Sequence, residues 1–265
     1  MIGPEILVAY CLLGVFAGTM AGLLGVGGGL IIVPALIAIW QSTGIGGIYE
    51  MQLAIGTSMA TIVLTSIASV RAHHQRGSVQ WKTFWRLTPG VVLGAWLGAV
   101  LATQVSGEIL KSIFGLFELL VAAQMAFSVR PAPHRALPGQ AGITLVGSGI
   151  GAMSAIIGIG GGTMTVPFLS WCNVSIHKAV GTSAACGLPI AIGGAVSYLV
   201  LGWGNALLPA WSTGYVYGPA LVSITVTSML FAPLGASLAH KLSTVVLKRA
   251  FAGFLALLGV WMLAG

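Results

Sequence analysis

The sequence has very few charged residues. Only 6% of its 265 residues are Asp, Glu, Lys or Arg, whereas 57% are hydrophobic. A water-soluble domain of this length could not cover its surface with so little charge. Several apolar stretches approach about 20 residues, the length that spans a bilayer, and they are continuous rather than alternating, which argues against a β-barrel. The chain is therefore predicted to be an all-α protein that crosses a membrane many times.

Several chemical signatures are also missing. The three cysteines, Cys11, Cys172 and Cys186, lie in or beside apolar segments without C-x-x-C spacing, which favours buried thiols over a metal or redox site. The sequence contains no metal-binding cluster, duplicated acid–base pair or nucleophile–base pattern, so we expect a protein that is not an enzyme and that binds no metal or cofactor. It also contains no Walker sequence, so we expect no transport driven by its own ATP hydrolysis. The N-terminus has no basic region and small-residue cleavage site, so the first apolar run is interpreted as a retained helix.

One unusual stretch occurs twice. Residues 22–34 read GLLGVGGGLIIVP and residues 155–167 read AIIGIGGGTMTVP, at a constant offset of 133 positions. Glycine costs about 1 kcal/mol per helical residue relative to alanine, so three in a row predict a helix break. Short apolar arms follow each break, over residues 30–40 and 163–171.

A second motif supports a duplication. Residues 54–58 read AIGTS and residues 179–183 read AVGTS, 125 positions later. We divide the chain into a first transmembrane repeat over residues 1–129, a cytoplasmic linker over residues 130–140, and a second repeat over residues 141–265.

Three glycines in the span at residues 87–103 predict close helix packing. Gly90, Gly94 and Gly98 lie four positions apart and form a small-xxx-small face.

The basic residues predict the topology. The sequence carries a formal charge of +7, but nine of its eleven basic residues lie in three predicted loops, at residues 71–86, 130–135 and 241–249. The positive-inside rule places these loops in the cytoplasm. The basic residues therefore set topology and do not indicate a nucleic-acid partner. The uncharged loop at residues 202–214 then faces outward, and each broken segment must return to its own side as a helical hairpin. This gives two inverted repeats, each a hairpin plus three transmembrane helices, with both termini outside.

The breaks form the predicted binding site. Broken helices are tolerated in a membrane where they face a cavity, and in inverted-repeat carriers they form the substrate site. Helix N-termini there would offer N–H donors to a small anion, with hydroxyl groups as further donors. Close packing of the glycines and backbone bonding of the hydroxyls are the alternatives. The residues predicted to bind substrate are Gly27, Gly28, Gly29, Thr57, Ser58, Gly160, Gly161, Gly162, Thr163, Thr182 and Ser183.

Glu118 is the one acid inside a predicted span. An intramembrane ionisable group is a functional candidate by default, and a coupling proton is the obvious role. Its counterpart in the second repeat is Leu255, so the group is not duplicated, and a neutral structural acid is the alternative.

These motifs, with HHQRGSVQW at residues 73–81 and HKAVGTS at residues 177–183, resemble the sulfite exporter TauE/SafE family over essentially the whole chain. The resemblance implies a secondary carrier in the inner membrane that exports or exchanges sulfite or an organosulfonate such as sulfoacetate by alternating access. An anion channel for small oxyanions is the alternative. The expected partners are a small anion, the lipid bilayer and a coupling proton or ion; a homodimer is compatible with the sequence.

Overall fold

The computed structural model describes residues 3–24, 28–127, 136–239 and 244–264, and this part of the chain is almost entirely helical. Its α-helices are α1 (Pro4–Leu24), α2 (Gly29–Thr43), α3 (Glu50–Gln75), α4 (Trp81–Gln104), α5 (Gly107–Ala126), α6 (Gln140–Ile157), α7 (Gly162–Trp171), α8 (Ile176–Leu201), α9 (Gly218–Ala239) and α10 (Thr244–Ala264). A 3₁₀ turn at Gly47–Tyr49 precedes α3, and two short strands, β1 (Ser212–Thr213) and β2 (Val216–Tyr217), precede α9.

Eight of these helices are long and apolar enough to cross a membrane, whereas α2 and α7 have only 15 and 10 residues. Large apolar side chains project from the outside of the helix bundle, among them Leu12, Leu120 and Leu257. In water such a surface would be unfavourable, but against lipid it is expected. The chain is therefore a multi-pass helical membrane protein, as its composition predicts.

Two predicted boundaries differ from the observed ones. Residues 71–86 do not form one loop, because α3 continues to Gln75 and α4 begins at Trp81. Charged side chains can extend from the last helical turns into the headgroup region, so charge does not mark the end of a helix. The outer loop extends past residue 214, since Thr213 pairs with Val216 in the hairpin that leads into α9. Of the linker, residues 130–135 lie outside the described residues.

The glycine face of α4 packs against α6. The Cα atoms of Gly90 and Gly94 lie so close to the backbones of Thr144 and Ser148 that a Cβ atom would overlap them. This confirms the predicted packing face. Residue numbers increase in the same direction along both helices, so α4 and α6 run parallel.

The corresponding pair, α1 and α9, packs in the same way. Gly14 and Gly18 of α1 lie against Ile224 and Ser228 of α9, and the two helices again run parallel. The Ser228 hydroxyl donates to the Gly14 carbonyl at 2.9 Å. Each broken segment thus begins with a helix that packs along the fourth helix of the other repeat.

Helices at equivalent positions of the two repeats run antiparallel. Gly56 of α3 lies beside Tyr198 of α8, whereas Ser66, further along α3, lies beside the earlier residue Gly187. In the outermost pair, Gly115 of α5 lies beside Leu263 of α10, and Gly259 of α10 lies beside the later residue Leu119.

Both broken segments fold back as hairpins. Ala17 lies next to Gly28 at the tip of the first hairpin, and Trp40 donates its indole N–H to the Tyr10 hydroxyl at 2.8 Å near its base. In the second, Ile143 near the start of α6 shares a hydrophobic cluster with Leu169 near the end of α7. The arms α2 and α7 therefore run antiparallel to the helices that precede them.

The two arms differ in burial. Along α2, Leu30, Val33, Leu36 and Trp40 are completely buried, and they belong to the largest hydrophobic core. Along α7, the buried residues are Thr165 and Leu169. The arm α2 is thus part of the packed core, whereas the arm α7 is more loosely covered by protein.

Candidate functional site

The tips of the two hairpins meet at the centre of the bundle. Gly29, the first residue of α2, packs directly on the carbonyl oxygen of Gly158 and on Ile159. A Cβ atom on Gly29 would lie 3.0 Å from the Cα atom of Ile159, closer than real Cβ atoms normally approach backbone. Glycine at this position is therefore required for the close approach of the two breaks.

Two glycines in the left-handed conformation shape the second break. Gly158 has φ 81° and ends α6, with its N–H donating to the Ser154 carbonyl at 2.8 Å. Gly161 has φ 73° and stands immediately before α7. Residues with a Cβ atom are disfavoured at both positions because of this backbone conformation.

Neighbouring helices hold the end of α6 in place. The Ser58 hydroxyl of α3 donates to the Gly158 carbonyl at 2.8 Å, and the Tyr198 hydroxyl of α8 donates to the Ala155 carbonyl at 3.0 Å. The Cγ2 methyl group of Ile62 lies 3.2 Å from the position of a Cβ atom on Gly160. Ser58 therefore lies at the site, where its hydroxyl satisfies a carbonyl left open by the helix break.

The N-terminus of α7 provides two N–H donors at this break. The first hydrogen bonds of the helix are donated by Met164 and Thr165 to the Gly161 carbonyl, at 3.2 and 2.9 Å. The N–H groups of Gly162 and Thr163 precede them and have no acceptor inside the helix. The positive end of the helix dipole adds to their attraction for an anion.

The N-terminus of α2 is arranged similarly. Ile31 and Ile32 donate to the Gly28 carbonyl at 3.0 and 2.9 Å, which leaves the N–H groups of Gly29 and Leu30 without an intrahelical acceptor. Gly27 lies outside the described residues.

Thr57 and Thr182 make equivalent structural contacts. The Thr57 hydroxyl donates to the Leu53 carbonyl at 2.6 Å and accepts the N–H of Tyr217, in the strand before α9, at 2.9 Å. The Thr182 hydroxyl accepts the N–H of Gln80, just before α4, at 2.9 Å. Because the single hydroxyl proton of Thr57 is already donated, this residue provides no donor to an anion in this state. Both threonines join α3 or α8 to the segment that leads into a fourth helix.

Ser183 and Thr163 have buried hydroxyl groups without a hydrogen-bond partner among the described residues. Ser183 is 1% exposed and occupies the position in α8 that Ser58 occupies in α3. Thr163 is in the first turn of α7. An unpaired buried hydroxyl is costly, so both side chains are suited to bind a ligand.

Two further hydroxyl groups at the second break were not predicted. Ser154 and Thr165 are both completely buried and unpaired among the described residues. Their oxygen atoms lie 3.4 and 3.6 Å from the point where a Cβ atom of Gly161 would stand. The available sequence signal was the presence of one hydroxyl residue on each side of the second glycine run, seven positions before Gly161 and four after it.

Glu118 lies in α5, the helix that pairs with α10. It is completely buried, and neither carboxylate oxygen has a hydrogen-bond partner among the described residues. The antiparallel register of Gly115 with Gly259 brings the region of its counterpart Leu255 opposite it.

An open groove of about 560 Å³ lies elsewhere, along the outer face of α4. Its walls are side chains of that helix only, including Trp85, Val92 and Trp96. None of the predicted site residues lines it, and its apolar walls face the position of lipid.

Comparisons with known proteins agree with the sequence motifs. The family model described as "Sulfite exporter TauE/SafE" matches residues 10–262. A probable membrane transporter protein of Haemophilus influenzae is 38% identical over 258 residues, covering 96% of this chain and 97% of the relative. A probable membrane transporter protein of Methanocaldococcus jannaschii is 28% identical over 266 residues, covering 95% and 93% of the two chains. No solved structure gives a significant match.

Proposed function

Because the chain belongs to the sulfite exporter TauE/SafE family, which consists of membrane transporters and not enzymes, we propose that it is a secondary carrier for a small sulfur-containing anion. The proposed substrate is sulfite or an organosulfonate such as sulfoacetate, exported or exchanged across the inner membrane by alternating access. The observation that carries the proposal is the meeting of two helix breaks, where Gly29 packs on Gly158 and Ile159.

The helix directions support two inverted repeats. Equivalent helices α3 and α8 run antiparallel, as do α5 and α10, which is expected when the repeats are related by an axis in the membrane plane. These directions also agree with the sides that the positive-inside rule assigns to the loops. We therefore propose that both termini lie outside and that the hairpins enter from opposite faces. Rocking of one repeat against the other would then expose the centre alternately to each side.

The chemistry of the breaks is suited to an anion. A charge at the bilayer centre costs at least roughly 2.5–3.5 kcal/mol. One helix N-terminus returns typically ~0.3–1 kcal/mol, and up to ~2 when buried, and each hydrogen bond to a charged group adds about 1.5–3 kcal/mol. Two N-termini with the hydroxyls of Thr163 and Ser183 therefore offset the cost without binding too tightly for release. The glycines of both breaks allow the oxyanion to approach the backbone closely.

In this proposal the main role of Thr57, Thr182 and Ser58 is to hold neighbouring segments in place. Thr57 and Thr182 fix the segments that lead into α9 and α4, and Ser58 fixes the end of α6. Because these contacts connect the two repeats, a change at the breaks is transmitted to the helices that would move.

Contact between the hairpin tips favours a carrier over an anion channel. Gly158 and Ile159 are buried at the junction with Gly29, and in this proposal their contact separates the two sides. A carrier requires such an occluded centre, whereas a channel in its open state has a continuous pore.

Coupling to a proton is assigned in this proposal to Glu118. A buried carboxyl group that lacks a partner can take up and release a proton when its surroundings change during transport. Because the equivalent position of the second repeat is Leu255, the Glu118 carboxyl group would carry the proton throughout the transport cycle.

Counterflow in proteoliposomes tests the proposal. The purified full-length protein is reconstituted, the vesicles are loaded with unlabelled sulfite, and uptake of external labelled sulfite is followed. A carrier shows saturable uptake that internal sulfite accelerates, and protein-free vesicles serve as the control. Unsaturated conductive flux without such acceleration supports the channel instead, and no flux of sulfite or any organosulfonate rejects the proposed substrate class.

A further inference from the structure

The second break carries a site whose chemistry restricts the charge of its ligand. We propose that the α7 site, formed by Ser154, Gly161, Gly162, Thr163 and Thr165, binds singly charged oxyanions and excludes doubly charged ones. This inference rests on the proposed function and narrows its substrates to hydrogensulfite and monosulfonates, so that the dianion sulfoacetate is excluded from them.

Donor groups converge at one point of the α7 site. The Ser154 and Thr165 oxygens lie 3.4 and 3.6 Å from the position of a Cβ atom on Gly161, and both side chains are completely buried. Neither hydroxyl has a partner among the described residues, nor does that of Thr163. A ligand that accepts hydrogen bonds there satisfies groups that are otherwise buried at a cost.

The helix terminus decides the sign of the ligand charge. The N–H groups of Gly162 and Thr163 point out of the first turn of α7, at the positive end of its dipole. Hydroxyl oxygens alone could also coordinate a cation, but a cation at this end of α7 would be repelled. The combination of N–H and O–H donors therefore selects an anion.

The absence of a nearby cation limits the size of that charge. Among the described residues, the buried polar and charged side chains include no Lys, Arg or His, and Glu118 is the buried ion-forming acid. Ile62 and Ile190 form the apolar walls beside Gly160 and Gly161. Desolvation grows with the square of the charge, so a dianion costs roughly four times as much to bury as a monoanion. The attraction between neutral donors and the ligand grows only in proportion to the ligand charge. It therefore cannot offset the additional desolvation cost of a second charge.

The hydroxyl groups of the α7 site have no counterparts in the sequence of the first hairpin. At the same offset of 133 positions, the first hairpin has Ala21, Leu30 and Ile32 in place of Ser154, Thr163 and Thr165. These hydroxyl donors therefore belong to the second break, whose arm α7 is less buried than α2. Ile190 places its terminal methyl 2.5 Å from the Cβ position at Gly161, so that side chain must rotate to admit the anion.

Calorimetric titration of the purified full-length protein tests the charge rule. Methanesulfonate and sulfate have similar tetrahedral heads but carry one and two charges, and ethanesulfonate and sulfoacetate form a second such pair. At constant ionic strength, we expect one molecule of each monoanion to bind per protein chain. Its Kd should be at least about tenfold lower than that of the dianion in the same pair. Equal or tighter binding of the dianions overturns this inference while leaving anion transport intact. If none of the four anions binds, this inference fails, whereas the counterflow of labelled sulfite decides separately whether the protein is a sulfur-anion carrier.

Conservative variants locate the binding. Ser154→Ala and Thr165→Val each remove one donor and should raise the Kd of methanesulfonate about tenfold or more. Thr225→Val is the matched control, because Thr225 in α9 is also a buried hydroxyl without a described partner. Wild-type affinity in both site variants, with each protein folded by its thermal unfolding curve, overturns the assignment to this break.

Discussion

Replacing Gly29 with alanine tests whether transport depends on the contact between the hairpin tips. The added methyl group would overlap the Gly158 carbonyl oxygen and lie 3.0 and 3.1 Å from the Cα and Cγ2 atoms of Ile159. Carbon atoms normally pack at about 3.5–4.0 Å, so the two tips must separate by at least roughly 0.5–1 Å. The main obstacle is backbone, which cannot rotate aside as a flexible side chain can.

The size of the effect follows from the cost of overpacking. Extra methyl groups in a well-packed site cost about 1–3 kcal/mol. If the cost falls on the state with joined tips, its population decreases roughly 5- to 150-fold relative to states with separated tips. We expect the counterflow rate of Gly29→Ala to decrease by about tenfold or more, while the protein still inserts and remains monodisperse in detergent.

Gly149→Ala provides the matched control in the same bundle. Gly149 lies in α6 with nothing within 4 Å of its Cβ position, and alanine is the better helix former. Its counterflow rate per folded protein should equal that of the wild type. A Gly29→Ala variant that transports as fast as the Gly149→Ala protein would refute the requirement for tip contact.

Three other substitutions have definite expected outcomes. Gly161→Leu should abolish counterflow, since Gly161 has φ 73° and a side chain there meets Ile190; normal uptake would argue against a role for the second break. Thr57→Val should destabilise the folded protein by about 1–3 kcal/mol, because it removes the acceptor for the buried Tyr217 N–H; an unchanged thermal unfolding curve would contradict this structural role. Glu118→Gln should remove the pH dependence of uptake if Glu118 carries the coupling proton, and a wild-type pH profile would exclude it from that role.

Much of the architecture could be predicted from local sequence. Every span appears as a continuous apolar run, the glycine triplets interrupt helices where Gly29 and Gly162 begin new ones, and the glycines of α4 form the predicted packing face. These features depend on the intrinsic cost of glycine in helices and on the length of apolar runs, both of which are local properties.

The long-range contacts of the site could not be predicted in the same way. The duplicated threonines suggested ligand binding, yet Thr57 bonds with a backbone N–H 160 positions away. Ser154 precedes the glycine motif and Thr165 has Ile32 as its counterpart in the first repeat, and only the folded hairpin brings their hydroxyls to Gly161. No periodicity specifies which distant segment a hydroxyl meets.

The pairing of α1 with α9 sets an order of assembly. Gly14 and Ser228, which join these helices, are 214 positions apart. At a synthesis rate of ~5–20 residues per second, the helix made first waits roughly 10–40 s for its neighbour. During that interval its glycine face has no protein partner and is held by lipid or by the insertion machinery. The N-terminal helix is thus locked in place only when the chain is nearly complete, and a nascent chain that stops before α9 leaves it undocked.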